Sequence, residues 1–339
     1  MSDTRMVQLR DSGDRRRGNA RTRLYSFDGD PIEVPPPPSG EIAFIGSWDK
    51  IRSACLAASE PGIAMFAIDD EGIASQAVVF AKRDTVQTAI VGRHTEADLV
   101  LADDARVSLR HLAVVLHPEQ GKDLRYRVLD LRTPLGMRDE RDERVGHLAS
   151  AGPLLLSVGR YAIVVVPVLQ ARQWPSEPLA AWQALPARKW EQEVSAQRRV
   201  IPDGYRRDPG ITAVQVLGPP QFAQPGMSED DARPVARLNV SSKRGEAEFV
   251  IGSRALAAGV LLGRYQRCDN ADLPVLSDHR ISRVHLLLVS IDGTTYGIDT
   301  ASTNGVWHER NRFRHRPIAF GDTVEFGSKL AHVRWTAPA

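Results

Sequence analysis

Two glycine–arginine pairs, Gly92-Arg93 and Gly263-Arg264, each close a short aliphatic run, and they stand 171 positions apart (263 less 92). Moving the strand-like runs at residues 236–240 and 246–251 back by the same 171 lands on 65–69 and 75–80, where the earlier half is strand-like too. A period of this length is a whole domain rather than a solenoid unit, so the chain reads as two copies of one fold. The 339 residues suffice for two domains and their connections.

The first copy shows short aliphatic runs at 63–68, 75–81, 88–91, 112–116, 126–131 and 161–168, separated by polar or glycine-bearing turns. The second shows them at 236–240, 246–251, 260–262, 286–291, 295–299, 323–326 and 331–335. Many short strands at nearly even spacing predict an all-β chain of two tandem β-sandwiches. Residues 1–40 alternate arginine with aspartate and end in Pro35 to Pro38, which predicts an unstructured tail and a polyproline spacer. Ser47 is placed to cap a short helix reaching about Ser59, ahead of a first domain over 41–170. Residues 171–235 are proline-rich, with Trp174, Trp182 and Trp190, and predict a partly helical linker whose helix runs from Pro186 to about Arg199. That helix either folds back on a sandwich or docks a partner. The second domain occupies 236–339.

The second copy carries three motifs in order: Gly263-Arg264, then Arg280-Ile281-Ser282-Arg283-Val284-His285, then Ser302-Thr303-Asn304-Gly305. Each falls where a strand meets a loop, and the loops at one end of a sandwich converge. Arg264, Arg280 and Arg283 bring guanidinium groups, Ser282 and Thr303 hydroxyls, and Asn304 an amide that both donates to and accepts from a peptide backbone. No carboxylate belongs to the set. Such groups suit a dianion beside an extended peptide. They do not suit acid–base chemistry, because arginine keeps its proton near pH 7.

Gly-Arg, Ser-Arg-x-His and Ser-x-Asn-Gly in this order resemble the forkhead-associated (FHA) domain family over about residues 236–336, and residues 320–327 fit that family's closing hairpin. The resemblance implies an eleven-stranded sandwich that binds phosphothreonine peptides. It implies that Arg264, Ser282 and Thr303 contact the phosphate, with Arg283 beside them. Asn304 is implied to bind the peptide backbone, and Arg280 to help choose the residue three places after the phosphothreonine. Gly263, His285 and Gly305 are implied to be structural supports.

The first copy departs from the pattern. Gly92-Arg93 is present, and Ser108 and His111 keep the family spacing, but Leu109 replaces the usual arginine and Leu135 stands where asparagine is expected. Leucine makes no hydrogen bond to a peptide. Arg93, Ser108 and Arg110 remain as a candidate weak second site. The alternative is a degenerate sandwich used for packing or for phosphate-independent contact.

The remaining chemistry narrows the classes. Forty-four basic residues against 42 acidic ones give a net charge of +2, so bulk charge does not hold the chain to nucleic acid. Cys55 and Cys268 support neither a disulfide framework nor a zinc site, and a reducing, cytoplasmic setting is expected. The amino terminus has no apolar core of a signal peptide, and the most apolar stretch, 154–169, is interrupted by Arg160, so no membrane span is expected. No P-loop, zinc helix or nucleophile elbow is present, and His308 and His315 read as solvated residues of an arginine-rich loop. No enzyme activity, cofactor or metal is expected. The reading is a phosphothreonine-binding adaptor in serine/threonine kinase signalling, with a phosphoprotein partner and an upstream kinase. Self-association through a phosphorylated Thr22, flanked by Arg21 and Arg23, is a further option for the tail. The alternative function is a scaffold that binds folded partners without phosphate.

Overall fold

The computed structural model describes residues 5–7, 36–118, 124–186, 234–265, 268–270 and 274–338. The first half contributes β1 (Arg5–Val7), α1 (Gly40–Gly46), α2 (Trp48–Leu56), β2 (Gly62–Ile68), β3 (Ala74–Ala81), β4 (Gln87–Gly92) and β5 (Leu99–Val100). It continues with β6 (Leu112–Pro118), β7 (Leu124–Asp130), β8 (Met137–Arg138), β9 (Arg144–Val145), β10 (His147–Ser150), β11 (Leu154–Val158), β12 (Tyr161–Pro167), a 3₁₀ segment (Val168–Gln173) and α3 (Pro178–Ala184). The second half contributes β13 (Pro234–Ser242), β14 (Gly245–Gly252), α4 (Ser253–Ala258), β15 (Val260–Leu262), β16 (Leu286–Ile291) and β17 (Thr294–Asp299). It ends with β18 (Val306–His308), β19 (Asn311–Phe313), β20 (His315–Pro317), β21 (Thr323–Phe326) and β22 (Ala331–Thr336).

The duplication holds strand for strand. One sheet of the first sandwich runs β1-β3-β2-β12-β11-β8-β9, and its counterpart runs β14-β13-β22-β21-β18-β19. The facing sheets run β10-β7-β6-β4-β5 and, from the other edge, β20-β17-β16-β15. Only β1 and β5 lack a counterpart among the described residues. The chain is therefore two tandem β-sandwiches of matching strand order.

Several strands read as unbroken apolar runs because both of their faces are covered. In β6, Leu112, Val114 and Leu116 point into the first sandwich core. Ala113 and Val115, from the same strand, pack instead in a cluster with Leu287, Val289 and Ile291 of the second sandwich. In β16 the alternation is the mirror case, with Leu286 and Leu288 in the second core. The two sandwiches thus stack sheet on sheet, with the equivalent sheet of each copy at the junction. Polar groups cross it as well. Arg127 of β7 donates to the carbonyls of Ser290 and Ala257, Thr88 pairs with His315, and Arg314 pairs with Asp98.

The far face of the first sandwich is also covered. Ala64, Phe66 and Ile68 of β2 meet α1, α2 and the segment around Trp174 and Ala181, while Ile63, Met65 and Ala67 face the core. Phe44 sits against Trp48, Trp174 and Trp182 at ring separations of 5.5–5.7 Å. Residues 168–185 therefore fold back onto the first sandwich. In the second sandwich the outer sheet face is open, and β13 alternates buried and part-exposed positions along 236–240.

Local expectations are corrected at several points. Within the tail, Arg5–Val7 forms β1 on the β3 edge, whose unpaired backbone groups accept a strand, and α1 begins at Gly40. The rest of the tail to residue 35, Thr22 included, lies outside the described residues. So does the helix expected over 187–199; the observed α3 starts earlier, with Pro178 in its first turn. Ser47 precedes α2 but does not cap it, since its hydroxyl donates to the Gly72 carbonyl at 2.7 Å. His308 and His315 lie in strands rather than a loop; His315 bonds Thr88 across the junction and His308 approaches Asp322. Among the described residues no helix is long and apolar enough to cross a membrane.

Candidate functional site

The site is built by three loops held at close range. A Cβ on Gly263 would lie 2.0 Å from the Arg283 carbonyl oxygen, so glycine is what lets β15 run against the loop before β16. With the chains that close, the Arg264 N–H donates to the Ser282 carbonyl at 3.0 Å and the Tyr265 N–H to the Arg283 carbonyl at 3.2 Å. The Arg264 Nε donates to the Ile281 carbonyl at 3.0 Å, its sole protein acceptor among the described residues. The rest of the guanidinium fork remains open to a ligand.

His285 ties the second loop to the third. It is fully buried, and its Nδ1 accepts the Ser282 N–H at 2.9 Å. The Nε2 therefore carries the proton and donates to the Gly305 carbonyl at 3.1 Å. Gly305 takes φ +72°, and the Arg312 side chain occupies the space a Cβ would need, which explains glycine there. Direct bonds close the ring: the Thr303 N–H donates to Ser282 Oγ at 3.2 Å, and Asn304 Nδ2 to the Arg280 carbonyl at 2.6 Å. An open cavity at this rim is lined by Arg264, Arg280, Ser282, Arg283, Thr303 and Asn304. All six residues singled out from the sequence therefore share one end of one sandwich. His279 and Ile281 join them from the same domain, and Leu109 and Arg110 from the other.

Electrostatically the rim is cationic with one carboxylate that the sequence reading left out. Asp278 accepts from Arg280 Nε and Nη2 at 3.1 and 3.2 Å, and this pairing holds its carboxyl well below the usual range. The pair is exposed, so it is weakly held and Arg280 can exchange Asp278 for a ligand at little cost.

The first copy repeats the frame bond for bond. The Arg93 and His94 N–H groups donate to the carbonyls of Ser108 and Leu109, Arg93 Nε donates to Val107, and His111 joins the Ser108 N–H to the Gly136 carbonyl. The ligand-facing chemistry is reduced. Ser108 is only 3% exposed, against a part-exposed Ser282. Leu135, at the place of Asn304, packs against the core. Arg144 donates to the carbonyls of Thr133 and Pro134, the place Arg312 takes at the Ser302 carbonyl in the second copy. The expectation that Arg110 joins Arg93 and Ser108 in a second anion site is corrected: Arg110 is 4% exposed and donates to the Thr300 and Ala301 carbonyls of the second sandwich at 2.7 and 2.5 Å. Its place corresponds to Val284, a residue of the junction cluster. A residue on that face reaches the neighbouring domain, not the rim of its own.

Burial, with a smaller push from the Arg110 and Arg312 charges and against the raising effect of the Gly305 carbonyl bond, brings the His285 imidazole down to about 4. Protonation would also place a second N–H against the Ser282 N–H. His111 is lowered by burial in the same way. The unfolded chain takes up these protons at about pH 6.5, so stability is complete above that pH and falls as pH drops towards 4. We expect the melting temperature to fall between pH 7.5 and pH 5, and to fall less in His285→Gln. An equal fall in both proteins rules this cause out.

The family model of the FHA domain matches residues 260–327. No match is found among curated proteins. Similar solved structures include the Slr1951 protein from Synechocystis sp., at 21% identity over 31% of this chain and 98% of that one, with TM-score 0.27. The FHA domain of the CT664 protein from Chlamydia trachomatis is similar at 23% identity over 31% of this chain and 99% of that one, with TM-score 0.26. The first FHA domain of Rv1747 from Mycobacterium tuberculosis is similar at 25% identity over 30% of this chain and 98% of that one, with TM-score 0.24.

Proposed function

We propose that this protein, whose residues 260–327 match the FHA-domain model, is a phosphothreonine-peptide-binding adaptor whose competent site is the rim of the C-terminal sandwich. One observation carries the reading: Arg264, Ser282, Thr303 and Asn304 come from three separate loops yet line a single cavity, with the outer fork of Arg264 open. A dianionic phosphate fits there because guanidinium groups and hydroxyls donate to it, and Asn304 sits where an extended peptide backbone passes. The action is reversible capture without turnover. A serine/threonine kinase makes the ligand, a phosphatase removes it, and the adaptor holds a phosphoprotein partner in between.

The first sandwich, with Ser108 buried, Leu135 in place of asparagine and Arg110 engaged elsewhere, is proposed to serve as a packing partner and not as a second phosphate site. The test is a pull-down with paired phosphorylated and unphosphorylated threonine peptides on the full chain. Retention of only the phosphorylated member is expected. Equal retention of both transfers the function to the phosphate-independent scaffold.

A further inference from the structure

The cavity at the phosphate rim is not made by one domain. Leu109 and Arg110 line it from the first sandwich, beside Arg264, Ser282 and Arg283. Both positions are held firmly. The Leu109 carbonyl accepts the His94 N–H at 3.0 Å, and a Cβ on Gly92 would lie 2.4 Å from that oxygen, so the loop carrying Leu109 is clamped against its own β4. Next to it, Arg110 reaches across the junction and bonds the carbonyls of Thr300 and Ala301. Ala301 takes φ +59°, an uncommon conformation for alanine, directly before the Ser302–Asn304 loop. The neighbour domain thus fastens the turn from which the loop of the second sandwich departs.

Leu109 is half-buried and lines the cavity as an apolar residue, with Ile281, in a rim rich in arginine. It stands at the position equivalent to Arg283 of the second copy, since Ser108-Leu109 aligns with Ser282-Arg283. The substitution that removes a phosphate donor from the first copy's loop also places a hydrocarbon wall beside the second copy's cavity. Arg110, one residue on, is committed to the junction that keeps this wall in place.

We propose that the peptide site is composite: the first sandwich supplies Leu109 as a specificity-determining wall, so the chain prefers a phosphothreonine peptide with an aliphatic side chain flanking the phosphate. This rests on the proposed phosphothreonine reading and assigns it a selectivity. Arg110 is a positioning residue that acts through the Thr300–Ala301 turn.

The test uses the full chain and a phosphothreonine peptide library randomised at the flanking positions, screened on the native protein, Leu109→Ala and Leu109→Asn. The native chain is expected to enrich Leu, Ile, Val or Met at one flanking position, and the best such peptide to bind about tenfold more weakly to either variant, the size expected for losing a partly buried aliphatic contact. A phosphothreonine peptide with alanine at every flank is expected to bind all three proteins alike, which shows the rim intact. An absence of aliphatic enrichment on the native chain, or the same enrichment in the variants, overturns the composite site while leaving phosphothreonine capture standing. If the folded native chain binds no phosphothreonine peptide, the functional reading falls and this inference falls with it.

Discussion

Arg264→Ala is expected to weaken phosphothreonine-peptide binding by the full chain about ten- to a hundredfold. A hydrogen bond to a charged group is worth roughly 1.5–3 kcal/mol, and each 1.4 kcal/mol is a factor of ten. Arg264 is the rim cation whose Nε is anchored on the Ile281 carbonyl while the rest of its fork is open, so its loss takes a pre-oriented donor pair with it. Ser282→Ala is expected to act in the same direction, because Ser282 Oγ also holds the Thr303 N–H and its removal loosens two donors together. The comparison that makes the result decisive is Arg93→Ala. Arg93 makes the same anchoring bond, to Val107, but sits in a copy whose serine, Ser108, is buried and whose third loop carries Leu135 in place of an asparagine. Isothermal titration should therefore show native-like affinity for Arg93→Ala. Binding by Arg264→Ala within twofold of native, or an equal loss in Arg93→Ala, sinks the assignment of the competent rim.

Arg132→Met is expected to destabilise the chain by about 3–5 kcal/mol, the usual cost of leaving one partner of a buried ion pair alone. Arg132 of the first sandwich pairs with Asp269 of the second, their side chains being 10% and 2% exposed, and it also donates to the Gly259 carbonyl at 3.0 Å. Asp269 in turn accepts the Leu261 N–H at 2.7 Å, inside the sheet that builds the Gly263-Arg264 loop. Burial already raises its carboxyl, and the Arg132 charge opposes that effect. Without the guanidinium, the carboxylate must take up a proton or the junction must open. The melting temperature is expected to fall by about 10 °C. Arg132→Met combined with Asp269→Asn is expected to recover most of the loss, because the amide oxygen still accepts from Leu261 and no buried charge remains. A single variant as stable as the native chain would show that the junction carries no such load.

How much could be read beforehand differs between strands and their surroundings. The runs at 63–68, 112–116 and 286–291 were visible because aliphatic and β-branched residues concentrate in them between turn residues. The two-residue strands β5, β8 and β9 were not, because so short an element has no pattern of its own and exists only where a neighbour pairs with it. The helix at 178–184 carries only Ala181 as a fully buried face and is held by the aromatic packing of Phe44 and Trp182 from a distant part of the chain. The pairing of Arg280 with Asp278 was within reach, two residues apart, and is repeated by Arg106 with Asp104.

Residue identity and spacing alone determined that the chain repeats one all-β unit, and that Arg264, Arg280, Ser282, Arg283, Thr303 and Asn304 form a set of donors without an acid–base pair. Those properties live in local chemistry and in loop positions, which a sequence records directly. Only the tertiary structure decided that the two units stack through equivalent sheets, that Arg110 serves the neighbouring domain, and that Leu109 faces the neighbour's cavity. These depend on which face of a strand meets a partner more than a hundred residues away. An alternating strand that is apolar on both sides carries no mark of what covers either one.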